Sequence, residues 1–290
     1  MLRRRLPVWW FIILAIVSLG LIFYFSASRR PLYRELLLAR AQASNLVSFF
    51  NDFGNSLAVL AQSTAIKSRN ASTTIKMETF VEQWRKSDLI GGVVLTDSRG
   101  VVQFNANVLG IPDVGKSLAD RDYFVWAKNQ TQAERYFVSR PVVSRLGASK
   151  GEAIVVVALP VFQNGTFSGV VAASVILAPL TNRYLELMKI SSLTEVYLID
   201  QKGNLWYSRD DTKTVGASIF ESFPKYPLQT VLNAKKEGKF VTAYWDTGIG
   251  PAVRFAAYVP IQLNGQNWLI IVASPLRDVF SFWGQNTLLK

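Results

Sequence analysis

LPVFQNGTFSGVVAAS, residues 159–174, recurs as VPIQLNGQNWLIIVAS at 259–274, with Pro160 and Pro260, Asn164 and Asn264, Gly165 and Gly265, and Ser174 and Ser274 each offset by 100. Both stretches read as two apolar strands around an Asn-Gly pair, residues that tolerate positive φ in a tight hairpin. Earlier, VVLTDSRGVV (93–102) is answered by VYLIDQKGNL (196–205): an apolar strand, an Asp-x-basic-Gly turn and a second strand. GKSL (115–118) pairs in the same way with GASI (216–219). Ordered matches at a nearly constant offset mark two copies of one α+β unit. Each copy predicts a hairpin, a helical or loop crossover and three meandering strands. Those strands fall near 135–143, 152–163 and 167–177 in the first copy, and near 239–246, 253–263 and 267–274 in the second.

Upstream of the duplication the pattern changes period. Leu32, Leu36, Ala39, Ala43, Leu46, Phe50, Phe53, Leu57 and Leu60 recur at three- and four-residue steps, predicting one stalk helix over residues 28–66 with Pro31 in a first turn. So long a stripe must pack on a second copy of the chain, on the following domain, or on both. Before it, Leu6–Ala27 is a run of 22 uncharged residues, long enough to span a bilayer, with Trp9, Trp10 and Tyr24 near its ends. It lacks a clear signal-cleavage site and reads as a retained anchor. Arg3, Arg4 and Arg5 on one side and Arg29, Arg30 and Arg34 on the other leave orientation close to a tie by charge.

The formal charge of +12 is unevenly spread. Residues 1–40 carry seven Arg against Glu35, half of the excess, where an anionic bilayer surface explains it. Nucleic acid is therefore not an expected partner. The chain has no Cys and no His, which excludes disulfides, thiolate zinc sites, His-based metal sites and Ser-His-Asp catalysis. GASKG (147–151) matches a nucleophile-elbow pattern, but lies in a polar turn between strands with no His to serve as base. Asp200, Asp210 and Asp211 lack the spacing of a calcium loop, and no phosphate-binding fingerprint is present. No enzyme, no metal and no cofactor is expected.

The ordered set DRDYFVWA (120–127), VSRPVVSRLG (138–147) and LPVFQNGTFSGVVAASV (159–175), duplicated behind an apolar run and a stalk helix, resembles the double Cache family of PAS-like extracytoplasmic sensor domains. The resemblance implies two tandem antiparallel-sheet domains: a membrane-distal, ligand-binding one over 67–190 and a membrane-proximal relay over 191–278. A cytoplasmic N-terminus (1–5) and a C-terminal tail (279–290) complete the expected organisation. It also implies a location outside the inner membrane and signalling as the role. Members usually continue through a second membrane helix into a transmitter. Leu276–Leu289 holds Arg277, Asp278, Gln285 and Asn286 and is too polar to be one, so a separate signalling partner or a longer reading frame is expected.

By the same resemblance, Arg121 matches the residue that grips a ligand carboxylate, and Tyr123 and Phe124 occupy the aromatic positions, with Phe104 as a further lining residue. The acidic positions that hold an ammonium group in amino-acid sensors fall on Ser144 and Ser174. A buried ammonium without a carboxylate is costly, so the expected ligand is a short carboxylate and not an α-amino acid. The bland readings are an Arg121–Asp122 surface pair of little energetic consequence and ordinary core aromatics at Tyr123, Phe124 and Trp126. Arg140 and Arg145 are further cationic candidates, and of the two Arg140 is expected outside the pocket. An alternative role is a membrane-tethered scaffold that uses the stalk stripe and has a degenerate pocket.

Overall fold

In the computed structural model the chain is described over residues 8–132, 135–189, 193–208, 215–221, 225–246 and 250–275. Helix α1 (Val8–Gln62) carries the three- and four-step stripe and stops four residues short of the expected end at 66. Ser63 is the cause. Its hydroxyl donates to the Leu60 carbonyl at 2.7 Å and accepts the Ile66 amide, which ends one helix and caps the next, α2 (Thr64–Ser68). Asn70 then caps α3 (Ala71–Arg85) in a capping box with Thr73.

Two antiparallel sheets follow. The first copy supplies β1 (Ile90–Thr96), β2 (Val102–Asn107), α4 (Asp122–Lys128), β3 (Phe137–Val138), β4 (Val142–Val143), β5 (Ala153–Gln163), β6 (Thr166–Ile176) and the exit helix α5 (Leu177–Tyr184). The second supplies β7 (Glu195–Asp200), β8 (Leu205–Ser208), α6 (Lys225–Leu232), β9 (Gly238–Asp246), β10 (Gly250–Leu263) and β11 (Gln266–Pro275). Strand order is β2-β1-β6-β5-β3, with β4 also on β5, and then β8-β7-β11-β10-β9: one topology, used twice. The single strand expected over 135–143 is broken around Pro141, which has no amide to give the ladder.

The likeness of the copies reaches the hydrogen bonds. The Val102 amide donates to the Lys116 carbonyl, Gly115 to Val102 and Leu118 to Gly100; Leu205 to Ala217, Gly216 to Leu205 and Ile219 to Gly203 repeat the set. In both turns one Asp carboxylate, Asp97 or Asp200, accepts the amides two and four residues on. The isolated bridges Val101–Ser117 and Asn204–Ser218 correspond as well.

The copies differ where β6 holds one residue more than β11. Phe162 pairs with Phe167 but Val161 pairs with Gly169, leaving Ser168 bulged; the matching pairs Gln262–Asn267 and Ile261–Trp268 run on without a break. Gly169 sits at φ 147°, and a Cβ there would lie 2.0 Å from the Thr96 carbonyl oxygen, so the bulge requires glycine. Arg69 holds Ser168 through its carbonyl (2.8 Å) and hydroxyl (2.9 Å). Beyond the bulge the sequence offset drops by one, so the counterpart of Ser174 is Ala273 and not Ser274; a one-residue slip exchanges the faces of a strand. The turns differ too. Asn164 (φ 50°) and Gly165 (φ 76°) both take positive φ as expected, whereas in the second pair only Gly265 does (φ 100°).

The stripe of α1 is spent within its own chain. Leu36, Ala39, Ala43, Leu46, Phe50, Phe53, Leu57 and Leu60 are buried in one continuous core with alternate residues of both sheets, such as Val157 and Ala173 in the first and Val259 and Ile270 in the second. Phe50, Phe53, Leu46 and Leu57 are each fully buried, at roughly 1.5–3 kcal/mol of apolar transfer apiece. Leu6 and Pro7 lie outside the described residues, as do most side chains of the apolar run up to Ala27, Asp210 and Asp211, and residues 276–290. Among the described residues no helix is long and apolar enough to cross a membrane.

Candidate functional site

The sheet face turned away from α1 carries the site. Under α4, the first sheet buries Ile154, Val156, Ala158, Val170 and Ala172 with Tyr123, Phe124 and Phe137. Next to this packing lies a cavity of about 60 Å³, walled by the strands β1, β2, β4, β5 and β6 and by the loops before α4 and β5. At roughly 10–15 Å³ per water position it takes about four to six waters, or a ligand of a few heavy atoms. Two glycines make the room. A Cβ on Gly91 would come within 2.8 Å of the Ser149 and Ser174 hydroxyls, and one on Gly92 would meet Asn107.

Arg121, Tyr123, Ser144 and Ser174 all line this cavity. Arg121 is the N-cap residue of α4 but makes no side-chain cap; its guanidinium instead reaches across to donate to the Val143 carbonyl at 3.2 Å. It does not pair with Asp122, whose carboxylate lies 3.7 Å from Arg140, outside the cavity. Tyr123 is buried, and burial pushes its phenol well above the ordinary range while Arg121 opposes the shift, so it stays protonated. Among the described residues its hydroxyl has no hydrogen-bond partner.

The two serines differ in what they can offer. Ser144 is committed to its own loop: it donates to the Leu146 carbonyl at 3.0 Å and accepts from the Leu146 amide and the Ser149 hydroxyl. Ser174 has one long contact, to the Gly92 carbonyl at 3.4 Å, and keeps capacity for a ligand. Ser149, the serine of GASKG, sits in a single 3-10 turn with Ser144 as its partner.

Phe104 and Phe124 are placed elsewhere. Pleating turns Phe104 to the α1 and α3 side, where it packs on the main core, while its neighbours Asn105 and Asn107 face the cavity. Phe124 points into the packing under α4, edge-on to Phe167 at 6.0 Å. Sequence reading missed Asp113, Asn105 and Asn107; Arg145, a further cationic candidate, does line the cavity. Asp113 is a buried carboxylate in the cavity wall, matched by Lys116 Nζ at 2.7 Å. Arg145 is matched by Asp120 at 2.8 Å, a hydrogen bond that holds the Asp120 carboxyl below its ordinary range. The Asn107 amide and carbonyl brace the loop through Ile111. Polar residues two apart on β2, followed by a loop of Gly, Pro and Asp, were the available signal. Among the described residues, Arg121 is thus the cation at this cavity that lacks a carboxylate.

Residues 32–281 match the family described as Cache domain. No curated protein matches the chain. Among solved structures, the ligand-binding domain of the Pseudomonas fluorescens chemoreceptor CtaA in complex with L-isoleucine superposes with a TM-score of 0.64 at 19% identity, over 89% of this chain and 98% of that one. The ligand-binding domain of the Pseudomonas aeruginosa PAO1 amino acid chemoreceptor PctB in complex with L-Arg gives 0.63 at 18%, over 84% and 94%. An extracellular ligand binding receptor from Desulfohalobium retbaense DSM5692 gives 0.63 at 15%, over 82% of this chain and 39% of that one. At these identities the likeness is one of fold.

Proposed function

This chain belongs to the double Cache family of ligand-binding sensor domains, and from that premise we propose that it is a membrane-anchored extracytoplasmic sensor whose first domain takes a short carboxylate. The observation that carries the reading is Arg121, a guanidinium at a small cavity whose other charges are already matched, Asp113 by Lys116 and Arg145 by Asp120. An anion completes that charge balance, and a planar guanidinium binds a carboxylate with two parallel hydrogen bonds. The Tyr123 and Ser174 hydroxyls supply neutral donors beside it.

The CtaA and PctB domains hold amino acids. Here the wall offers an ammonium group serines and an Asp113 already neutralised, so the ligand is a des-amino acid of a few heavy atoms. Domain limits follow the same reading: 67–190 binds, 191–278 relays, and Leu6–Ala27 tethers the chain in the inner membrane with both domains outside. The relay passes to a separate signalling partner or to further chain.

The test is a thermal melt of the full chain across short mono- and dicarboxylates, hydroxy acids and α-amino acids. A short carboxylate raises the midpoint of the wild type and not of Arg121→Ala. A flat response to every acid with an intact fold overturns the reading. A response to α-amino acids but not to their des-amino forms overturns the exclusion and points to Asp113.

A further inference from the structure

The two copies can be laid over each other residue by residue through their ladders. Gln163–Thr166 and Leu263–Gln266 close the two β5–β6-type hairpins, so Ile154 corresponds to Arg254 along an uninterrupted strand. Val142 pairs with Ile154 and Thr242 with Arg254, so those two correspond. Past the bulge at Ser168, Gly92 pairs with Ser174 and Glu195 with Ala273; two residues along, Val94 matches Tyr197. Gly92, Val94, Val142 and Ile154 all line the first cavity. Their counterparts are Glu195, Tyr197, Thr242 and Arg254.

Three of these, Glu195, Tyr197 and Arg254, form a polar cluster in the same place, with Thr242 beside Arg254 in the ladder. Arg254 is buried and its guanidinium lies 2.7 Å from the Glu195 carboxylate, with a second donor on the Leu193 carbonyl at 3.2 Å. The Tyr197 hydroxyl donates to the other Glu195 oxygen at 2.6 Å. Thr242 Oγ1 is buried with no hydrogen-bond partner among the described residues. A guanidinium and a phenol on one carboxylate repeat the chemistry of Arg121 and Tyr123, except that here the chain provides the carboxylate.

We infer that the second domain contains a carboxylate-binding site sealed by the chain's own Glu195, seated on Arg254 where the first domain has Gly92 and an open cavity. Glycine and isoleucine two strands apart leave an empty pocket; a Glu and an Arg at the same two positions fill one. The second copy takes no ligand from outside because an internal one is already bound.

The site is tested by chemical rescue in the full chain. Glu195→Ala removes the internal carboxylate and leaves Arg254 buried without it, a strongly destabilising change. Formate, compared with chloride at equal ionic strength, raises the midpoint of Glu195→Ala by about 2 °C or more beyond its effect on wild type, because binding to the folded state adds to stability. Glu195→Ala/Arg254→Ile, which restores the apolar register of the first copy, shows no such excess. Equal formate effects in the wild type and both variants overturn the proposal, whatever the outcome for Arg121. Should Glu195→Ala fail to accumulate folded, refolding in formate reads the same point. Recovery in formate alone supports the site, and equal failure in formate and chloride overturns it.

Discussion

The Val138 amide donates to the Asn264 carbonyl at 2.7 Å, tying the Asn-Gly turn of the second sheet to the edge strand β3 of the first. Neighbouring Phe137 packs under α4 on Trp126 at 4.9 Å, in the packing that continues into the cavity wall. A shift of α4 on ligand binding therefore has a direct mechanical path into the β10–β11 hairpin.

Gly265 is where that path is tightest. It takes φ 100°, and a Cβ would lie 2.5 Å from the Phe137 ring. Gly265→Ala combines left-handed backbone strain of about 1–2 kcal/mol with a clash against β3. Scanning calorimetry is expected to show a lower midpoint and the two domains melting apart. A single unchanged transition would show that the contact carries no coupling.

Gly91→Ala tests the cavity without touching a charge. Its methyl would enter between the Ser149 and Ser174 hydroxyls, and overpacking of this kind costs about 1–3 kcal/mol. The folded variant is expected to lose the midpoint rise that a short carboxylate gives the wild type. Retained stabilisation by the same acid would place the ligand elsewhere.

Asp97 sets the acid limb of stability. Burial alone would raise its carboxyl, but the Val101 and Arg99 amides and the Arg99 guanidinium together hold it below the ordinary value. A depressed folded value means stability present at neutral pH and lost as pH falls from about 4 through the folded value. Asp97→Ala removes the acceptor of two turn amides, at about 1–2 kcal/mol near pH 7. Urea midpoints measured from pH 7 to 3 should converge for wild type and variant as the acid end is approached; parallel curves would contradict this.

Trp268 joins the second sheet to the helix, edge-on to Phe50 at 5.5 Å and tilted on Trp206 at 5.1 Å. It is almost wholly buried, so Trp268→Ala is expected to cost about 3–5 kcal/mol and to release α1 from the second sheet. Denaturant unfolding with amide exchange along α1 checks both. A loss below about 1 kcal/mol would mean that the site collapses around the missing ring.

Local rules made the duplication legible. The Asp-x-basic-Gly and Asn-Gly turns, the period-two strands and the three- and four-step stripe of α1 depend on contacts within a few residues; the turns fall where expected, and most strand ends lie within a residue or two of their expected places, β10 beginning three residues early at Gly250. The end of α1 at Gln62 escaped because a hydroxyl at Ser63 outcompeted a continuing periodicity. The break at Pro141 was visible as a residue type and was read through.

The site was legible only in part, for a reason of geometry. Arg121 and Tyr123 stand on one short helix, so a local motif carries them together. Phe104 was misplaced because one step along a pleated strand moves a side chain through the sheet. Ser174 was matched to Ser274 because residue counting cannot see that Ser168 is bulged.

From its order of residues alone, the chain determines two copies of one sheet behind a long helix, because turns and periodicities are properties of neighbouring residues. Only the tertiary structure decides that one copy has an open cavity and the other a filled one. That difference rests on Gly92 against Glu195 and Ile154 against Arg254. These pairs are distant in the chain and meet only once strand register, and the single bulge that shifts it, are set.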